Sequence, residues 1–157
     1  MQRVDWGAEV IDGLIPHRPP FRFLERIHAW SHEDPFLHGS LDISAGAPIF
    51  EGHFPGDPIW PGVCTIEGLA QTCAALTALL GRTAPDGGPG GRSVLGAVNV
   101  RLLGPVRPPA RLEYRAWLPG PAVGSSAGDA LRTFRVEASV GATLVARGTL
   151  IASRLPE

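Results

Sequence analysis

Apolar and polar residues alternate down most of the second half of the chain. Leu112, Tyr114, Ala116 and Leu118 interleave with Glu113 and Arg115, and Phe134, Val136, Ala138 and Val140 interleave with Arg135, Glu137 and Ser139. A period of two marks strands with one buried face. It predicts strands over residues 93–103, 111–118, 130–140 and 143–153, the last two joined by a tight hairpin at Gly141-Ala142. The stretches 81–92 and 119–129 are rich in Gly or Ser and lack core-forming residues, so they read as connections.

The first half has a different rhythm. Val4, Trp6, Val10, Ile11 and Leu14 have rough helical spacing, with Asp5 as an N-cap. Pro16, Pro19 and Pro20 then hold residues 15–20 extended. Residues 21–27 and 36–43 read as strands, the second with Leu37, Leu41 and Ile43 on one face. From Cys64 to Leu80 the chain is apolar nearly all round, through Ile66, Leu69, Ala70, Cys73, Ala74, Leu76 and Leu80. A helix of that kind is wrapped by other structure rather than laid on a surface, and Gly81 ends it. One buried helix, several antiparallel strands and no βαβ alternation make an α+β domain, with residues 1–157 as a single unit.

Composition narrows the function classes. At 157 residues, 18% charged and a net charge of -1, the chain has no basic field to hold nucleic acid. Its side-chain cations other than His are all Arg. Cys64 and Cys73 lie on one helix, which cannot bring them together, so both are expected as free, buried thiols in a reducing compartment. The N-terminus lacks the form of a signal peptide, and the apolar helix is interrupted by Glu67 and Gln71, which suits a soluble core better than a membrane span. The expected location is the cytoplasm.

Candidate chemistry sits in residues 51–71. His53 lies in a loop too rich in Pro and Gly for regular structure, and Glu67 lies in the helix that follows. Imidazole titrates near neutrality, and a carboxylic acid can supply a proton, so the two types suit acid–base work. By residue type alone the plainer reading, a loop histidine and a residue favoured at a helix start, is the stronger. Pro61-Gly62-Val63 leads into the helix, where unpaired N–H groups can polarise a carbonyl. His28 and His32 read as surface loop residues, His38 as unpartnered and His17 as structural. No Cys/His spacing marks a metal site, Gly87 to Gly91 lacks the Lys-Ser/Thr of a phosphate loop, and Ser125-Ser126 has no nucleophile-elbow context.

The stretch GHFPGDPIWPGVCTIEGLAQ resembles the active-site segment of the 3-hydroxyacyl-[acyl carrier protein] dehydratases of fatty acid synthesis. IPHRPPFRFLERI upstream is similar to their entry strand, GPVRPPARLEYR downstream is a weaker match, and the likeness covers nearly the whole chain. It implies a hot-dog fold, an antiparallel sheet wrapped around the buried helix. It also implies a cofactor-free homodimer, possibly a trimer of dimers, whose substrate brings its own phosphopantetheine arm on acyl carrier protein. His53 takes the place of the catalytic base and Glu67 that of the catalytic acid, which starts protonated, and the two meet across subunits. Gly62 becomes the thioester-binding N–H, and a cis peptide is implied at His53-Phe54. Phe54, Ile59, Trp60 and Val63 become candidate walls of an acyl tunnel, and Gln71 a holder of the Glu67 carboxyl. GHFPGDP and GPVRP lean toward the branch that also isomerises the double bond, whereas Glu67 and EGLAQ point to the dehydratase-only branch. Arg101, Arg107 and Arg111 are candidates for docking the acidic carrier, or else a solvated strand edge. A thioesterase on the same fold and a non-catalytic carrier-binding subunit of a heterodimer are the competing readings.

Overall fold

The structure, a computed structural model, describes residues 1–82, 93–120 and 131–154. Most of the two Gly-rich connections therefore lies outside the described residues. The described chain forms seven strands: β1 (Gln2–Trp6), β2 (Arg26–Ser31), β3 (Phe36–Ile43), β4 (Ser93–Leu102), β5 (Ala110–Trp117), β6 (Arg132–Val140) and β7 (Thr143–Arg154). They make one sheet in the order β1-β2-β3-β5-β6-β7-β4, antiparallel at every pairing. A short helix α1 (Ala8–Asp12) follows β1, and the long helix α2 (Gly62–Arg82) packs against β3, β4, β5 and β6. This is the α+β arrangement that the alternation and the single apolar helix predict.

Alternation translates directly into packing. Leu112, Tyr114 and Ala116 of β5 and Phe134, Val136 and Ala138 of β6 are fully buried, facing Leu69 and Leu76 of α2. Each fully buried Leu contributes about 1.5–3 kcal/mol. Helix and sheet approach closely at Gly68, where a Cβ would fall 2.3 Å from the Tyr114 ring and hydroxyl. Only a residue without a side chain lets the phenol lie there. At the β6–β7 hairpin Gly141 takes φ 57°, as the tight turn requires.

Three expectations change. Residues 4–14 do not form one helix: Val4, Asp5 and Trp6 belong to β1, so Asp5 caps nothing, and Gly7 precedes α1. Pairing with β2 satisfies that backbone, and Trp6 rests on Trp30 with ring centroids 6.4 Å apart. Residues 21–25 precede the first pairing of β2 although they are apolar enough for a strand. Their backbone finds a side chain instead, because the Phe23 N–H donates to Gln71 Oε1 (2.7 Å) and the Phe21 carbonyl accepts from Gln71 Nε2 (2.9 Å). Finally, α2 begins at Gly62 and continues through Gly81 to Arg82, so Glu67 lies beyond its first turn and Gly81 does not end it.

Nor is α2 wrapped on every side by its own chain. Thr65, Gly68, Leu69, Thr72, Cys73 and Leu76 are buried, yet Val63 is 72% exposed and Ile66, Glu67, Ala70, Ala74 and Thr77 are only half-buried. That open stripe is where the helix-period pattern saw nothing but core. By length and composition α2 could cross a membrane, but it is packed against the sheet.

Candidate functional site

The loop before α2 is built to present one imidazole. Phe54 and Asp57 exchange backbone hydrogen bonds (3.0 and 2.9 Å), and Gly56, at φ 73°, supplies the left-handed turn between them. The Ile59 N–H donates to the His53 carbonyl (3.1 Å), and the Trp60 N–H donates to the Val106 carbonyl (2.8 Å), tying the loop to the segment before β5. The His53-Phe54 peptide is cis, and the two rings stack with centroids 4.0 Å apart.

His53 Nδ1 lies 2.7 Å from the carbonyl oxygen of Ile59. A carbonyl only accepts, so in the neutral ring Nδ1 carries the hydrogen and Nε2 keeps its lone pair. The ring thus has a fixed tautomer and, among the described residues, an Nε2 without a hydrogen-bond partner. It opens onto a groove of about 360 Å³ whose walls include Ile59, Trp60, Gly62, Leu102, Val106 and Val145. Gly62 opens α2 and lines the groove with His53, and the N–H groups of Cys64 and Thr65 both turn back to the Pro61 carbonyl (2.9 and 3.4 Å). The amides of Gly62 and Val63 precede them, at the positive end of the helix dipole.

Glu67 is elsewhere. It opens onto a second groove, of about 200 Å³, with His17, Ala70, Gln71, Ala74, Val94 and Leu95. Gln71 Nε2 donates to Glu67 Oε1 (3.0 Å), and His17 Nε2 stands 3.4 Å from the same oxygen. The buried Gln71 amide has no freedom to turn over, since the Phe23 N–H requires an oxygen and the Phe21 carbonyl requires a nitrogen. The residues of 51–71 are therefore not assembled into one site within the chain. His53 and the helix N-terminus share one groove, and Glu67 lies in the other.

The remaining candidates divide. Ile59 and Trp60 line the His53 groove, although Trp60 is mostly core, edge-on to Phe23 and Phe50. Phe54 and Val63 are exposed and line neither groove. Arg107 pairs with Asp57 of the His53 loop. Arg111 grips Asp42 through two hydrogen bonds of 2.7 and 2.9 Å and holds that carboxyl below its ordinary range. Arg101 is exposed, has no ion pair among the described residues, and stands opposite Arg147 in the β4–β7 register. Cys73 is buried and its thiol is pushed well up by desolvation; Cys64, expected to be buried, is half-exposed. Both are free.

Of the other histidines, His28 and His38 differ from expectation. His28 lies within β2 and meets Ser40 Oγ at 2.8 Å, while His32 is exposed in the turn after it. His38 is not unpartnered: its Nε2 meets Glu113 Oε2 at 3.1 Å, and its ring lies 5.0 Å from that of His28. His17, expected to be structural, stands 3.4 Å from the Glu67 carboxyl, a neighbour that sequence spacing missed. Its one signal is its place in the proline-rich segment that the fold lays beside Glu67. Among the described residues no group of three or more His, Cys, Asp and Glu could hold a metal ion.

A family profile described as the FabA-like domain matches residues 15–148. A 3-hydroxyacyl-[acyl-carrier-protein] dehydratase FabZ of Pseudothermotoga lettingae is 35% identical over 149 residues, covering 92% of this chain and 94% of its own. The protein of the same name from Rhizobium rhizogenes is 38% identical over 112 residues, covering 69% and 67%. Among solved structures, the dehydratase heterocomplex ApeI:P of Xenorhabdus doucetiae aligns with a TM-score of 0.72 at 19% identity, over 94% of this chain and 91% of that one. That last likeness is one of fold, and it matches the sheet-and-helix arrangement described above.

Proposed function

The chain belongs to the FabA-like domain family, and we propose that it is a 3-hydroxyacyl-[acyl carrier protein] dehydratase. The observation that carries this reading is the tautomer of His53, fixed by its bond to the Ile59 carbonyl, in a ring that lines the groove at the N-terminus of α2. An amide donor at a positive helix end polarises a thioester carbonyl and acidifies the proton on C2. His53 Nε2 takes that proton. The C2–H electrons form the C2–C3 double bond as the C3–O bond breaks, and the Glu67 carboxyl protonates the departing hydroxyl. The products are a trans-2-enoyl thioester and water. No cofactor enters, since the substrate brings its own phosphopantetheine arm.

Because His53 and Glu67 open onto different grooves, the reaction needs two chains. β4 is an edge strand with Val94, Leu95, Val98 and Leu102 exposed by 38–52%, beside the open stripe of α2. A long apolar edge is a template for pairing with another strand. A second copy seated there covers both and brings its Glu67 toward the first chain's His53. The acyl chain then runs between subunits, against Ile59, Trp60, Leu102 and Val106. Arg101 and Arg147 would meet the acidic carrier and its phosphate, whereas Arg107 and Arg111 are already engaged by Asp57 and Asp42. Such an enzyme works in the cytoplasm.

The test is turnover of a carrier-linked 3-hydroxyacyl substrate, followed by enoyl absorbance. His53→Ala is expected to lower it by about 10²–10⁴-fold. Release of free thiol without enoyl product would instead identify a thioesterase. No turnover by the isolated chain, together with a native mass showing an obligate heterodimer, would identify a non-catalytic subunit.

A further inference from the structure

Resting on the dehydratase reading, we infer that His17 is a positioning residue for the acid: its Nε2–H holds Glu67 Oε1 and so assigns proton transfer to Oε2. Three observations converge on this. Glu67 Oε1 has two nitrogens around it, Gln71 Nε2 at 3.0 Å and His17 Nε2 at 3.4 Å. His17 Nδ1 is buried and, among the described residues, has no hydrogen-bond partner. A buried N–H without an acceptor is rarer than a bare acceptor, so the ring hydrogen belongs on Nε2, the atom facing the carboxyl.

The third observation is the mount. Arg18 Nη1 donates to the carbonyls of Ile15 (2.9 Å) and His17 (2.8 Å), and its Nη2 donates to that of Asp12 (2.9 Å). The Phe21 N–H closes a turn onto the Arg18 carbonyl (2.9 Å), and the Phe21 ring stacks on the imidazole. The same segment fixes the Gln71 amide through Phe21 and Phe23. Residues 15–23 thus brace the carboxyl twice, directly through His17 and indirectly through Gln71.

The chemical consequence follows from which oxygen is occupied. In a neutral carboxylic acid the oxygen that receives donors is the carbonyl oxygen, so the proton sits on the other one. With Oε1 facing two donors, Oε2 carries the proton and delivers it. When the proton leaves, the charge that develops on the carboxylate finds both donors already in place. The 3.4 Å separation is longer than a well-formed hydrogen bond, and such contacts tighten when substrate fills the site. His17 therefore serves the transition state more than substrate binding.

The experiment has two arms. Long-range ¹H–¹⁵N spectra of the resting protein should show His17 as the Nε2–H tautomer, with a resonance that moves in Glu67→Ala. Kinetics of His17→Ala should show kcat reduced about 10- to 100-fold with KM within about threefold of wild type. His17→Gln, which can place a donor near the same point, should recover most of the loss, while His17→Leu should not. An Nδ1–H tautomer, an unmoved resonance in Glu67→Ala, or wild-type kcat in His17→Ala overturns the inference. The spectroscopic arm needs no substrate, so a failure of the dehydratase reading and a failure of this one are separately visible.

Discussion

His53 and Glu67 belong to one continuous loop-and-helix unit, yet they open onto different grooves of the same chain. The fold keeps the two side chains apart within the chain, so the joint use proposed for them requires a second copy. In an isologous dimer, what the first chain lends to the second is returned in kind.

Mixing two inactive variants tests this directly. His53→Ala and Glu67→Ala should each be inactive alone. After co-refolding or subunit exchange, mixed dimers hold one intact site, so activity should return to about a quarter of wild type. No recovery, with mixed dimers confirmed by native mass, would place the whole site within one chain. Val98→Glu on the exposed β4 edge should shift the protein toward monomer in light scattering and lower turnover with it, because a charge there opposes pairing.

Gln71 joins stability to catalysis. Gln71→Leu removes the acceptor of the buried Phe23 N–H as well as the donor to Glu67. The expected cost is about 1–3 kcal/mol in urea unfolding, from stranding a buried donor. A parallel fall in kcat should persist at temperatures where the variant is fully folded. A stable variant with normal kcat would refute the role of that amide.

At Gly68 the helix has no room for a methyl group. A Cβ there meets Cζ and Oη of Tyr114 at 2.3 Å, and Tyr114 is packed on every side. Gly68→Ala should lose about 1–3 kcal/mol of stability through overpacking, despite the better helix propensity of Ala. A midpoint at or above wild type in chemical denaturation would show that α2 can retreat from β5.

The outer face of the sheet should give a distinct pH signature. His38 titrates below its ordinary value, first because burial disfavours its charge and then because Arg115 lies close by. A histidine depressed in the folded state contributes stability above its unfolded pKa of 6.5 and loses it as the pH falls through the folded value. Melting temperature should therefore decline below about pH 6.5, and His38→Gln should flatten that decline. Asp42, held low by Arg111, acts only at more acid pH, below the ordinary carboxyl value of 3.8, so the two windows separate.

The sequence by itself determined those features whose physics is local. Period-two alternation placed Leu112, Tyr114, Phe134 and Val136 inward, and residues 36–43 form the strand expected of them. Proline and glycine marked the His53 loop, and the apolar run marked α2. Only the tertiary structure decided where unpaired backbone groups and side chains meet across long separations. Phe21 and Phe23 bond to Gln71 rather than to a neighbouring strand, a choice that no propensity encodes. His17 reaches Glu67 because a proline-rich segment is laid beside α2, and His53 and Glu67 part company because the loop before α2 sets His53 in one groove and the helix sets Glu67 in the other. Spacing along a chain constrains near neighbours; distant partners are chosen by how helix and sheet pack together.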